Sequence, residues 1–246
     1  MTADDVVAAF ALLGVPERPT RIHKVDLIDA VAVSTADRTL IDAAIDRLDW
    51  VATLSPATIG VAGGANVAAI QLLTLSARND ATLRLLTLIH RAIPLPVVLI
   101  TTFGDTVRVS LGPMRPAERI EAMVVERLVA TPAMTTRDAN VASFLASLAL
   151  RTLPRTDLAA LYEALVWRVE ALIAAVKADA PFRLPGTIDE ASPRREAIAE
   201  HDAVAGEYAK AQSAARAEKS LSKQVALADA ASVVKKRLDA IANKLA

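Results

Sequence analysis

Asp46, Asp49 and Asp105 are carboxylates of this chain available by type to a divalent cation. One kind of α/β metal-dependent nuclease places Asp and Glu-x-Lys on neighbouring strands, where carboxylate oxygens fill part of the octahedral shell of Mg²⁺. The strand that would supply the second half reads Ala69-Ile-Gln-Leu-Leu-Thr-Leu75 and holds no acid. Solvated helix and turn positions account for the three Asp residues. His23, His90 and His201 are the only histidines and lack zinc-ligand spacing. His90 reads as a helix C-terminal residue favoured by the dipole. Gly63-Gly64 is not followed by Lys-Ser or Lys-Thr, so it reads as a hairpin turn, not a phosphate loop. Ser55 precedes a proline and has no glycine neighbours, unlike a nucleophile elbow. The sequence therefore assigns no catalytic, cofactor-binding or metal residue, and no cofactor is expected.

Two basic spots remain as candidate phosphate or nucleic-acid contacts. Arg21 and Lys24 flank His23, and Lys235-Lys236-Arg237 sits in the last helical stretch, where Asp229 and Asp239 dilute the charge. Formal net charge is zero, with 28 basic and 28 acidic side chains, so no global field draws the chain to nucleic acid or an anionic membrane. Any nucleic-acid contact is expected to be local or indirect. There is no cysteine, which excludes disulfides and thiolate chemistry. The acidic start Met-Thr-Ala-Asp-Asp and the lack of a long apolar run predict a cytoplasmic protein without a membrane span.

Hydrophobic residues make up 53% of the chain but aromatics only 3%, so Leu, Ile, Val and Ala must fill the core, which favours closely packed helices. Thr2 caps a short helix with Val6, Val7, Phe10 and Leu13 on one face, ended by Gly14 and Pro16. Ser34-Thr-Ala-Asp37 reads as a capping box opening a helix with Leu40, Ile41, Ala44, Ile45 and Leu48 on its apolar side and Asp42, Asp46 and Asp49 mostly outside. From Trp50 the pattern turns to strand, and a hairpin is expected around Gly63-Gly64-Ala65-Asn66, with Val67 to Leu75 as its second strand. Asn79 or Asp80 is expected to cap a helix with Leu83, Leu86 and Ile89 that stops before Pro94. Val97 to Thr102 is a continuous apolar run suited to a strand buried on both faces, and Phe103-Gly104-Asp105 turns it into the alternating Thr106 to Leu111. Helix, hairpin, helix, hairpin predicts an α+β fold with helices on one side of the sheet. A further strand is expected within 120–129.

The second half is helical. Helices are expected over Asp138 to Leu150 and after Thr156-Asp157, the latter with Leu158, Leu161, Leu165, Val169 and Ile173 on one stripe. Trp50 and Trp167 are expected to be core anchors. The expected organisation is a sheet domain at 1–135, a helical region at 136–180, a linker at 181–193 and one long C-terminal helix or coiled coil at 194–246. Leu227, Ala231, Val234, Leu238, Ile241 and Leu245 alternate at spacings of four and three, the seam of a short or antiparallel coiled coil. Five of them, Leu227, Val234, Leu238, Ile241 and Leu245, are the candidate seam for a partner helix, since a narrow apolar stripe needs its own domain or a partner to cover it.

The stretch from Ile45 to Ile59, an isoleucine-rich helix running into a tryptophan strand and Leu-Ser-Pro-Ala-Thr-Ile, resembles the bacterial domain-of-unknown-function family 4391. Ile70-Gln71-Leu72, Ala92-Ile93-Pro94-Leu95-Pro96, Leu153-Pro154 with Asp157-Leu158 and Leu161-Tyr162, and Glu218-Lys219 with Val225-Ala-Leu227 resemble further landmarks of that family in order. The chain departs from it at Ala69, where the family often has Glu, at about Gly112, where it has Lys, and at Leu221-Ser222 and Ala228. A polar site in relatives would be depleted here. The resemblance implies an accessory role beside helicases and DNA methyltransferases of bacterial defence clusters. The leading expectation is a non-enzymatic adaptor with such a helicase or methyltransferase, or another copy of itself, as partner; the alternative is a divergent or degenerate metal-dependent nuclease.

Overall fold

The computed structural model describes residues 1–12, 15, 19–31, 34–64, 66–117, 123–135 and 138–246. The expectations for Leu13, Gly14, Pro16, Ala65 and the part of the 120–129 strand at 120–122 lie outside them. By contact density the described chain divides into two compact units, Met1–Val169 and Glu170–Ala246.

The first unit opens with α1 (Ala3–Ala9), closed by a reciprocal capping box between Thr2 and Asp5. A two-residue strand β1 (Thr20–Arg21) leads to α2 (Lys24–Ala30) and α3 (Thr35–Ala44). The Ser34–Asp37 capping box is present, and the Asp37 carboxylate also takes a fork from Arg84 at 2.9 and 2.7 Å. The helix stops sooner than its apolar spacing predicts. Ile45 adopts extended backbone, and the strand β2 runs Ile45–Leu54 directly from the helix end. Ile45 and Leu48 still reach the core, because irregularities at 45–47 and 50–52 reset which side chains face inward. Asp49 is thereby drawn from the expected outer side to a buried position beside Arg47. Trp50 moves the other way: it is 41% exposed, not a core anchor, with its indole N–H donating to the Ala52 carbonyl.

The connection from β2 to β3 (Ile70–Ala77) holds a helical turn, α4 (Pro56–Ile59), and a small loop closed by Gly64 and Val67. Strands β2 and β3 do pair antiparallel, but fifteen residues join them instead of the expected glycine turn. Then come α5 (Leu83–Ala92), capped by Thr82 and not by Asn79 or Asp80, and β4 (Val97–Phe103), which lies parallel to β3. A tight turn with Gly104 at φ +53° gives the antiparallel β5 (Thr106–Leu111). Short strands β6 (Met114–Pro116) and β7 (Met123–Val125) pair with each other, and β8 (Val129–Ala130) edges β5. The main sheet is six-stranded and mixed, in the order β1-β2-β3-β4-β5-β8.

Helices cover both faces of this sheet, not one. Leu48, Leu73, Leu75, Val97 and Leu99 form a core with residues of α2, α3 and α5. Leu72, Val98 and Ile100 alternate to the other side and are as deeply buried. There α1 touches β4 and α6 (Ala139–Ser147). The helix α7 (Leu158–Ala178) follows, with Asp157 accepting from the Ala160 amide, and the unit boundary falls inside it.

In the second unit the C-terminal region is two helices, not one. α8 (Ile188–Ala217) starts inside the expected linker and carries Pro193, and α9 (Leu221–Leu245) folds back along it. No glycine or proline marks the break. The Glu218 carboxylate accepts from the Lys219 and Ser220 amides at 2.8 Å each, ending one helix before the next. Among the described residues no helix is long and apolar enough to cross a membrane.

Candidate functional site

The helix α5 buries Leu85, Leu86, Leu88 and Ile89, and His90 stands one turn after Leu86 on the same apolar side. Across from it β5 alternates, sending Val107, Val109 and Leu111 one way and Ser110 towards α5. The outcome is a buried pair: His90 Nε2 lies 3.0 Å from the Ser110 hydroxyl. His90 stands in the last turn of α5 as expected, but burial and not the helix dipole sets its charge. It is 2% exposed, and burial pushes its imidazole down to about 3, so the ring is neutral at neutral pH. The signal for this in the sequence was the spacing of four from Leu86.

Among the described residues the Ser110 hydroxyl has one hydrogen-bond partner, the imidazole, and the tautomer of the ring sets which of the two donates. Nδ1 has no hydrogen-bond partner among the described residues and is not among the sealed unpaired atoms, which are Asp49 Oδ1 and Thr101 Oγ1. His90 lines a cleft of about 560 Å³ together with Arg91, Ile93, Met114, Met123 and Val125. Ser110 does not line that cleft and is 1% exposed, so the pair is no nucleophile and base.

The residues singled out from sequence are not gathered at this cleft. Arg21 sits opposite Asp49 in the β1–β2 register, and the Lys24 ammonium donates to the Asp42 carbonyl at 2.9 Å. In the second unit Lys235 pairs with Asp239, and Arg237 reaches Glu200 and Glu207, which leaves Lys236 as an exposed cation in that run. Leu227, Val234 and Leu238 are half-buried and Ile241 and Leu245 buried, the most covered side of α9, which packs along α8. Asp46 pairs with Arg78, Asp49 with Arg47, and Asp105 sits in the β4–β5 turn. Among the described residues no group of three or more His, Cys, Asp or Glu is placed to hold a metal ion. His23 caps α2 through its backbone, and His201 lies beside Lys177. Ser55 caps α4, and Trp50 borders a shallow groove of about 180 Å³ with Ile22, Leu73 and Leu95.

A second polar feature links the sheet to α7. Tyr162 is buried and its hydroxyl bridges Gly112 and Val97 at the end of β4 and β5. Gln71 pairs with Val97 in the β3–β4 register, so Ala69, Val97 and Gly112 share one end of the sheet. The family model for a domain of unknown function, DUF4391, matches residues 13–238. The chain belongs to this family. No curated protein and no solved structure matches it. In this DUF4391 chain Ala69 and Gly112, at which the sequence departs from the expected Glu and Lys, lie towards the same end of the sheet with β4 between their strands. Gly112 is also hemmed in: a Cβ there would lie 3.1 Å from His90 Nδ1 and 3.1 Å from Val125 Cγ1.

Proposed function

We propose that the chain is a non-enzymatic adaptor of a bacterial DNA-processing system, of the defence or restriction-like kind, working through protein–protein contacts of its C-terminal helical hairpin. One observation carries the reading. The seam of α9 is covered along α8, yet Leu221, Val225 and Val233 remain 75%, 54% and 67% exposed. Their spacings of four and eight place them on one side of the helix, with Asp229 between Val225 and Val233, and apolar side chains left outside a finished hairpin are what a partner helix or groove would cover. The DNA-processing context rests on the family resemblance, with a helicase or a DNA methyltransferase as the partner class.

The test puts a photo-crosslinking side chain at position 225 of the full chain in its native host. Identification of a crosslinked helicase or methyltransferase, lost when Leu221→Lys or Val233→Lys is added, supports the reading. Crosslinks to a second copy alone, or DNA cleavage by the purified protein on addition of Mg²⁺ or Mn²⁺, overturns it.

A further inference from the structure

We propose that the tip of the α8–α9 hairpin binds an acidic segment of a partner protein, a helix with apolar side chains between its Asp or Glu residues. The proposal rests on the adaptor reading and names the chemistry of the surface that the partner brings. Between Glu207 and Asp229 the chain holds four basic side chains, Lys210, Arg216, Lys219 and Lys223, and one acid, Glu218. All four cations are exposed, and none of them has an ion-pair partner among the described residues. The Glu218 carboxylate already accepts from the Lys219 and Ser220 amides. Further along the hairpin charges are matched, with Glu200 and Glu207 on Arg237 and Asp239 on Lys235. Positive charge is therefore left over at the tip.

Helix polarity does not account for this charge. The carbonyl end of α8 and the amide end of α9 meet at the turn, so their opposite poles offset each other. Arg216 suits the last turn of α8, but Lys219 and Lys223 stand at the amide end of α9, where the first turn holds no acid and a cation costs stability. Beside these cations Leu221 and Val225 are exposed. A groove of about 360 Å³ is lined by residues of both helices, Ala215 and Arg216 of α8 with Gln224, Val225 and Ala228 of α9. Unpaired cations next to uncovered apolar side chains match a helix that brings carboxylates and apolar anchors together. A nucleic-acid backbone would use the cations but leave Leu221 and Val225 in water, and no aromatic residue between 209 and 228 offers a base a face to stack on.

The test titrates the full chain, by fluorescence anisotropy, with a synthetic peptide carrying Leu at helical spacing and Glu and Ala between. The same peptide with Lys for Glu, the same with Ser for Leu, and duplex DNA are the comparisons. The acidic amphipathic peptide is expected to bind with a Kd of about 0.1 mM or tighter, and about tenfold more weakly when salt rises from about 50 to about 300 mM. The three comparisons are expected to bind at least about tenfold more weakly than it does. Lys219→Glu with Lys223→Glu places acids where α9 favours them and so keeps the fold, and is expected to weaken the acidic peptide about tenfold. Lys236→Glu with Lys244→Glu makes the same change of charge on α9 outside the tip and is expected to hold Kd within about twofold. No binding of the acidic peptide, equal binding of any comparison, undiminished binding by the tip variant, or an equal loss in both double variants overturns the proposal. A helicase or methyltransferase crosslinked at position 225 as fully in the Lys219→Glu, Lys223→Glu chain as in wild type keeps the adaptor reading and overturns the acidic segment.

Discussion

The Tyr162 hydroxyl accepts a hydrogen bond from the Gly112 amide at 2.9 Å and gives its own proton to the Val97 carbonyl, also at 2.9 Å. Pairs Phe103–Thr106, Thr101–Arg108 and Leu99–Ser110 alternate down the β4–β5 ladder, so Val97 and Gly112 would form the next bonded pair. A phenol from α7 stands in for that bond and ties the helix to the sheet. Tyr162→Phe leaves two backbone groups unpaired, at a cost of about 2–4 kcal/mol. Thermal unfolding followed by circular dichroism should move down by roughly 5–12 °C. A shift of under about 2 °C would show that water replaces the hydroxyl.

His90 makes the fold sensitive to acid. Its imidazole is held down to about 3 by burial, against 6.5 in the unfolded chain. The stability it contributes is complete above pH 6.5 and is lost as pH falls towards 3, because only the unfolded chain takes up the proton. At pH 4.5 that loss is about 3 kcal/mol. His201, lowered by burial and by Lys177, acts in the same direction. Asp37, held at about 2 chiefly by the Arg84 guanidinium, gives its contribution above 3.8 and loses it only below that. Urea unfolding at pH 7 and pH 4.5 therefore isolates the histidines. His90→Gln, which keeps an amide for Ser110, should lose most of the difference between the two conditions. An unchanged difference would mean that the ring reaches water on protonation.

What the sequence allowed to be read follows from where pattern and tertiary packing agree. The Ser34–Asp37 cap, the doubly buried run at 97–102 and the turn at Gly104 depend on local chemistry alone, and the structure has all three. The end of α3 was hidden because Ile45 and Leu48 keep a helical spacing while reaching the core from an irregular strand. The break between α8 and α9 was hidden because a Glu218 side chain, not Gly or Pro, makes it. The cleft could not be read, since it joins α5 to β6 and β7, elements too short to leave a period.

Gly64 closes a small turn with Val67, and it has a packing reason as well. A Cβ there would lie 2.6 Å from Ala159 Cβ and 2.7 Å from the Ala159 backbone nitrogen at the start of α7. Backbone cannot swing aside, so Gly64→Ala should cost about 2–3 kcal/mol. Gly206 is the control. It lies within α8, and a methyl added there would meet nothing within 4 Å, so Gly206→Ala should stabilise by roughly 0.5–1 kcal/mol through helix propensity. Denaturant midpoints of the two variants should therefore move in opposite directions, and a destabilised Gly206→Ala would mean that this outer face of the helix is covered in solution.

Within the second unit, Glu170 on α7 is 5% exposed at its side chain and takes a fork from Arg195 on α8, at 2.8 Å from Nε and 3.3 Å from Nη2. Removing only the cation leaves a carboxylate in the interior, so Arg195→Ala should cost about 3 kcal/mol, whereas the double change Glu170→Met and Arg195→Met should come out near neutral. The comparison separates a pair that stabilises from a pair that is only expensive to break. Chemical unfolding of wild type, the single variant and the double variant measures it directly. A double variant as unstable as Arg195→Ala would show that the fork itself, and not the stranded charge, holds α8 to the end of α7.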